Sequence, residues 1–297
     1  MADEKHTFVV ESSKREHAEA YDEASDIYDT YEGLFFPYLF GRIRSLLIER
    51  FIPRLPPGAR VLDIGCGTGQ QTLLFDKSGF DVVGIDISPG LVKVANKKLG
   101  KGICLVSDAC KLPFPDACFD AVSSAGSTLN HIPDYQCFFD EAGRVLKPGG
   151  YLFLESDNKW KLDIFWSFAS TLTGDPLKYH ETLPEVIGYV RRPFHEGYPY
   201  VFPLTFDENK FRLLRLRAFT FHELQSELEN IGCEVLTVHG AHSITNIIPT
   251  TIMQQDRPGR IARGLFSILK SVEDHVYDIW PFNRTGVSIM VIAKKKK

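Results

Sequence analysis

Two rhythms of apolar and polar positions run along this chain. From residue 59 onward, short apolar runs alternate with stretches whose apolar residues recur every three or four positions. The runs at 60–64, 81–86, 103–106, 119–124 and 151–154 read as strands. The stretches at 68–77, 89–99 and 135–146 read as helices. Pro89 opens the second, where a missing N–H costs nothing, and Pro148-Gly149-Gly150 stops the third. The rhythm returns with a helix at 221–231 and strands at 234–238 and 286–293. Strands joined by helix-length connections predict an α/β fold, a mostly parallel seven-stranded sheet with helices on both faces.

Other patterns flank and interrupt this core. Residues 12–52 read as helical, with Glu16, Glu19, Asp22, Glu23, Asp26 and Asp29 on one side. Tyr21, Ala24, Ile27, Tyr28 and Tyr31 form the opposite stripe, and a second helix is expected around 42–51. Residues 157–218 carry twelve aromatic side chains in 62 positions, an excess that suggests an added core or the lining of an apolar pocket. The expected organisation is a helical cap at 1–57, a ligand-binding core at 58–156 and an insert on the substrate side at 157–218. The end of the core follows at 219–297, with a second insert at about 240–285 and a helix around 261–275. Lys294 to Lys297 read as a short solvated tail, and Arg212, Arg215 and Arg217 as the solvated face of a strand.

Composition narrows the function classes. Apolar residues at 44% and charged residues at 24% exclude a disordered or fibrous chain. A net charge of −4 argues against broad nucleic-acid binding. The six cysteines (66, 104, 110, 118, 137 and 233) form no C-x-x-C pair and read as reduced, mostly packed thiols. No signal-peptide pattern or membrane-length apolar run is present, so the expected location is the cytoplasm. No metal-ligand spacing stands out.

The sharpest motif is Asp63-Ile64-Gly65-Cys66-Gly67-Thr68-Gly69, a strand entering a glycine-rich turn and then a helix. Glycine lets a ligand approach the backbone, and the helix start offers unpaired N–H groups. Gln70 stands where a dinucleotide fingerprint needs its third glycine, and no G-K-[ST] follows, so a pyrophosphate-bearing ligand is disfavoured. Asp86 ends the next strand, where a carboxylate can accept from both hydroxyls of a ribose. Asp108 ends the third strand, where an adenine amino group would be met.

These motifs, followed in order by Phe119-Asp120-Ala121-Val122 and Arg144-Val145-Leu146-Lys147-Pro148-Gly149-Gly150, resemble the class I S-adenosylmethionine-dependent methyltransferases. The Tyr21–Asp29 segment is similar to the covering helix of the quinone-biosynthesis branch. The resemblance implies a Rossmann-like fold, S-adenosylmethionine as cofactor and S-adenosylhomocysteine as product. It places Gly65, Gly67 and Gly69 beneath the methionine part, with Asp63 near its amino group and Cys66 as backbone contact. Asp86 would hold the ribose, Ile87 would pack on adenine, and Asp108 with Ala109 would meet its edge. Gly126, Ser127 and Tyr28 would lie near the methionine.

The acceptor side is less determined. His131 reads either as a general base or as a structural histidine bonding a loop. Tyr21, His180, His195 and Tyr198 are candidate substrate contacts, each also readable as packing or surface. The expected reaction is methyl transfer to a small, partly apolar acceptor by a monomer or homodimer. A protein acceptor, an RNA acceptor and cofactor binding without catalysis are the alternatives.

Overall fold

The computed structural model describes residues 10–11, 13–30, 33–207 and 210–297. The chain opens with β1 (Val10–Glu11), α1 (Lys14–Ala24) and α2 (Phe35–Leu46). The core then runs β2 (Arg60–Ile64), α3 (Gln70–Lys77), β3 (Asp81–Asp86), α4 (Pro89–Leu99), β4 (Cys104–Val106), β5 (Phe119–Ser124), α5 (Tyr135–Val145) and β6 (Leu146–Asp157). The insert holds α6 (Asp163–Leu172), α7 (Leu183–Arg191), β7 (Tyr198–Asp207) and β8 (Lys210–Ala218). After it come α8 (Phe221–Asn230), β9 (Cys233–Ala241), α9 (Thr250–Met253), α10 (Arg260–Glu273) and β10 (Ser288–Lys295).

The main sheet has the order β4-β3-β2-β5-β6-β10-β9, parallel except for β10, which runs antiparallel to both neighbours. Successive strands leave β2 in opposite directions, so the sheet has its switch point between β2 and β5. Ligands bind at the carboxyl ends of the strands there, because the two diverging crossovers leave a crevice. Alternation within β2 feeds both faces: Val61 packs in the cluster with Phe51, Phe75 and Phe153, while Leu62 and Ile64 pack with Phe138, Phe139 and Leu152.

The second helix begins at Phe35, earlier than its expected start, and Leu47–Phe51 continues it as a π-helical turn. Tyr31 of the expected apolar stripe lies outside the described residues, and Ile27 is exposed rather than packed. The insert builds a core of its own. β7 and β8 form a hairpin, extended by β1 pairing parallel to β8. Val186, Tyr189, Tyr198, Leu214 and Leu216 pack there against Ala20 and Ala24 of α1.

Three expectations about surface and thiols are corrected. Cys110 and Cys137 form a disulfide with Cα atoms 4.9 Å apart. They are 27 residues apart, and only the packing of α5 beside the turn after β4 brings them together. The arginine face of β8 is paired, not freely solvated: Arg212 meets Glu23 at 3.0 Å and Arg217 meets Glu223 at 2.6 Å. Two tail lysines belong to β10, and Lys295 Nζ donates to the carbonyls of Gly143 (2.7 Å) and Leu146 (3.0 Å) at the end of α5, where a helix leaves carbonyls unpaired.

Phe153 is fully buried, with its ring 5.7 Å from that of Phe51. Phe153→Ala should lower stability by about 3–5 kcal/mol. Urea unfolding should show a lower midpoint with an unchanged slope.

Candidate functional site

Three left-handed glycines shape the crossover after β2. Gly65, Gly67 and Gly69 have φ of +72°, +52° and +81°. A Cβ on Gly65 would stand 2.0 Å from Thr128 Oγ1, and one on Gly69 would stand 3.0 Å from Ala95 Cβ of α4. Those two glycines permit close packing. A Cβ on Gly67 would meet only the Tyr28 ring, at 3.8 Å, so this backbone faces open space. The N–H groups of Gly65 and Cys66 both donate to the Ile85 carbonyl, at 2.8 and 2.9 Å. The Gly67 N–H donates to Asp86 at 2.9 Å, and Asp86 also accepts from the Ser88 N–H at 2.9 Å. Burial pushes the Asp86 carboxyl above its ordinary range.

This turn floors a cleft of about 1000 Å³, its open mouth included. Gly65, Cys66, Gly67, Asp86, Ile87, Asp108, Ala109 and Gly126 line it, together with Tyr28. Asp63 and Gly69 do not. Asp63 is buried behind the turn, where it accepts from Thr72 Oγ1 at 2.6 Å and burial pushes its carboxyl up to about 7. Ser127 lies at the next cavity. It donates its N–H to Glu155 (2.7 Å) and its hydroxyl to Asp157 (2.8 Å).

The cap closes over the cleft through charged groups. Lys14 Nζ reaches both oxygens of Asp108 at 3.0 Å, and the Cys110 N–H donates to the same carboxylate. Asp22 accepts from the Gly90 N–H at 2.7 Å and from the Ser88 hydroxyl, at the positive start of α4. Asp29 accepts from Thr68 (2.7 Å) and Gln70 (2.9 Å) and pairs with Lys98 (2.7 Å). So two members of the expected acidic side are docking groups.

A second cavity of about 1090 Å³, its open mouth included, adjoins the first. Tyr21, Tyr28, Phe40, Gly126 and His131 line both. Tyr21 Oη lies 3.0 Å from His131 Nε2, and His131 Nδ1 lies 3.4 Å from His17 Nδ1. Burial first, then the neighbouring His17, lower the His131 pKa to about 3, so its imidazole is neutral. Across the cavity Asp157 accepts from the Tyr200 hydroxyl and that of Ser127. Tyr198 lines this space, whereas His180 and His195 do not. His180 stacks on Phe211 with ring centres 5.2 Å apart, and His195 is exposed beside His222.

Several lining residues had no individual sequence signal. Lys14, His17 and Phe40 come from segments far from the glycine turn. Asp157 and Tyr200 fall inside the aromatic excess, which marks the region but not the pair.

A switch-point cleft with a glycine floor and a strand-end carboxylate is where an open α/β sheet takes a ligand. Residues 62–154 match the methyltransferase-domain family. Over that segment, about a third of its length, the chain is similar to the class I S-adenosylmethionine-dependent methyltransferases. It is 43% identical over 109 residues to the 2-methyl-6-phytyl-1,4-hydroquinone methyltransferase of Synechocystis, covering 35% of this chain and 34% of that one. It thus spans about a third of that relative's length. It is 29% identical over 230 residues to an uncharacterised protein of Methanocaldococcus jannaschii, covering 77% and 80% of the two chains. Among solved structures it is similar to the cyclase SpnF, with a TM-score of 0.58 and 20% identity over 97% and 98% of the chains.

The residues in the cleft fit the family's cofactor. Gly67 leaves open the space a Cβ would fill, and Asp86 presents its carboxylate at the end of β3.

Asp63 gives a test by pH. Its folded value of about 7 lies above the unfolded value near 3.9. The folded chain therefore holds this proton across that window, and the contribution is lost as pH rises from ~4 through ~7. In chemical denaturation, Asp63→Asn should flatten this part of the stability profile and gain relative to the parent at pH 8.

Proposed function

We propose that the chain binds S-adenosylmethionine over the glycine turn and methylates a small, partly apolar acceptor held in the second cavity. The observation that carries this reading is the pair of adjoining cavities with common walls at Tyr21, Tyr28, Phe40, Gly126 and His131. When bound, the cofactor supplies a sulfonium-activated methyl group for in-line displacement. Gly65, Cys66, Gly67 and Tyr28 would hold its methionine part, with Gly126 and Ser127 at the junction. Asp86 would hold the ribose, and Ile87, Asp108 and Ala109 the adenine. Asp63 and Gly69 would act from behind, by fixing α3 and the turn.

The protein's own part is alignment and exclusion of water. The docked cap and the aromatic walls provide both. His131 is assigned a positioning role: a neutral imidazole with its pKa near 3 orients the Tyr21 hydroxyl but is a weak base. For a hydroxyl acceptor, Asp157 is the better proton acceptor, since it faces the cavity with Tyr200 and Ser127 as its partners. The aromatic enclosure favours a small molecule over a protein or RNA. The whole-chain similarity to a cyclase supports a second reading, in which the same cavities serve a different reaction, because a fold does not decide chemistry.

S-adenosylmethionine at about 100 times its dissociation constant should add roughly 2.7 kcal/mol of stability. Asp86→Ala should remove most of that shift; an unchanged shift means the ribose is held elsewhere. Labelled cofactor turned over with a cell extract, then fractionated by size, should place the label in small molecules. Label in protein or RNA fractions, or no turnover at all, selects another reading.

Once a hydroxyl acceptor is in hand, Asp157→Asn should lower kcat by about 10²–10⁴-fold and leave the cofactor shift intact. An unaffected kcat removes Asp157 from proton transfer.

A further inference from the structure

The bridge between Cys110 and Cys137 stands beside the cofactor cleft. Cys110 comes directly after Asp108 and Ala109, which line that cleft, and its N–H donates to the Asp108 carboxylate at 2.9 Å. Cys137 lies in the first turn of α5, and the segment leading into this helix brings His131 and Ile132 to the same cleft. One covalent bond thus joins two segments that wall a single space. The other ties between them lie further along. Glu141 accepts from the Leu112 N–H at 2.6 Å, and Arg144 donates to the carbonyls of Leu112 (3.1 Å) and Phe114 (2.8 Å). These hold residues 112–114 to α5 with the sulfurs joined or apart, so opening the bridge loosens the turn at 108–111 and leaves the rest of the segment attached.

The pair is placed where a small molecule can reach it. Cys110 and Cys137 are half-buried, and Lys111, Asp134 and Gln136 around them are exposed. Of the free thiols, Cys66, Cys104 and Cys233 are buried, and Cys118 is half-buried without a bridge. Cys137 is the third residue of α5, in the turn whose N–H groups lack helical partners, which favours its thiolate. Asp134 and Lys111 flank the pair with opposite charges.

We propose that Cys110 and Cys137 form an exchange site for a low-molecular-weight thiol and its disulfide, and that closing the bridge tightens cofactor binding. In closing, the Cys137 thiolate attacks one sulfur of the external disulfide and releases the first external thiol. Cys110 then displaces the second from the Cys137 sulfur. The Cys110–Cys137 bond forms and the external S–S bond breaks. Two electrons pass to the external thiols, which take up the two cysteine protons. The link to the cofactor is one of order. A bridged turn presents Asp108 and Ala109 already placed, whereas a reduced turn must be ordered when the ligand arrives. This coupling rests on the proposed seating of adenine at Asp108 and Ala109; the exchange itself does not.

The full chain, equilibrated in glutathione redox buffers, acid-quenched and alkylated, tests the exchange by mass spectrometry. An oxidising buffer should leave four cysteines labelled and a reducing one all six. Six labelled in both buffers overturns the proposal by excluding the bridge, and four in both overturns it by making the bridge permanent. Calorimetric titration with S-adenosylhomocysteine should give a dissociation constant about fivefold or more higher for the reduced protein. By linkage, saturating S-adenosylhomocysteine should preserve the bridge to more reducing glutathione ratios by the same factor. Cys137→Ser, checked for a cooperative melting transition, should bind like the reduced parent in both buffers. Cys118→Ser should respond to the buffers as the parent does. Equal dissociation constants in the two buffers overturn the coupling alone. Absence of binding in both overturns the cofactor reading and the coupling together, and the labelling then decides the exchange.

Discussion

The arrangement rests on how the first crossover is tied to the neighbouring strand. Two consecutive amides, those of Gly65 and Cys66, converge on the Ile85 carbonyl, and the next, Gly67, reaches the Asp86 carboxylate. That path is open only to residues that tolerate positive φ, and at Gly65 only to one without a Cβ. The tie fixes the backbone under the cleft and aims Asp86 at the same space. It also sets the start of α3, where Gln70, with Thr68 of the turn before it, docks the cap through Asp29.

Much of the core was legible because its signals are local. A strand such as 60–64 is apolar on both faces since it is covered on both, and glycines mark the place where the chain must turn sharply. Asp86 and Asp108 were visible as carboxylates closing apolar strands, and both line the cleft. The placements that sequence could not give depend on contacts between distant segments. Lys14 meets Asp108 across 94 residues, and Tyr200 meets Asp157 across 43. His180 and His195 have the chemistry of a site, yet the hairpin and its flanking turns carry them to other surroundings.

Electrostatics divide the site into two kinds of region. Around the cleft, Asp86 and Asp22 meet backbone amides at the start of α4, which offset part of the burial that raises the Asp86 carboxyl. Around the second cavity, burial dominates. It lowers the pKa of His131 and raises those of Glu155 and Glu181, so the neutral forms of these groups are favoured over those in water. An apolar molecule entering there meets phenols, with Asp157 and Asp163 among them and Lys161 standing 4.4 Å over the Tyr200 ring.

The walls common to the two cavities have a kinetic consequence. Tyr28, Phe40 and Gly126 each border both compartments, so no change at these positions acts on one ligand alone. On the proposed reading, with a ligand in each compartment, the two occupancies would be thermodynamically linked: whatever free energy one ligand spends in ordering a common side chain would be spared to the other, and by the same factor in either direction. The Michaelis constants of such a protein belong to the pair of ligands rather than to either one.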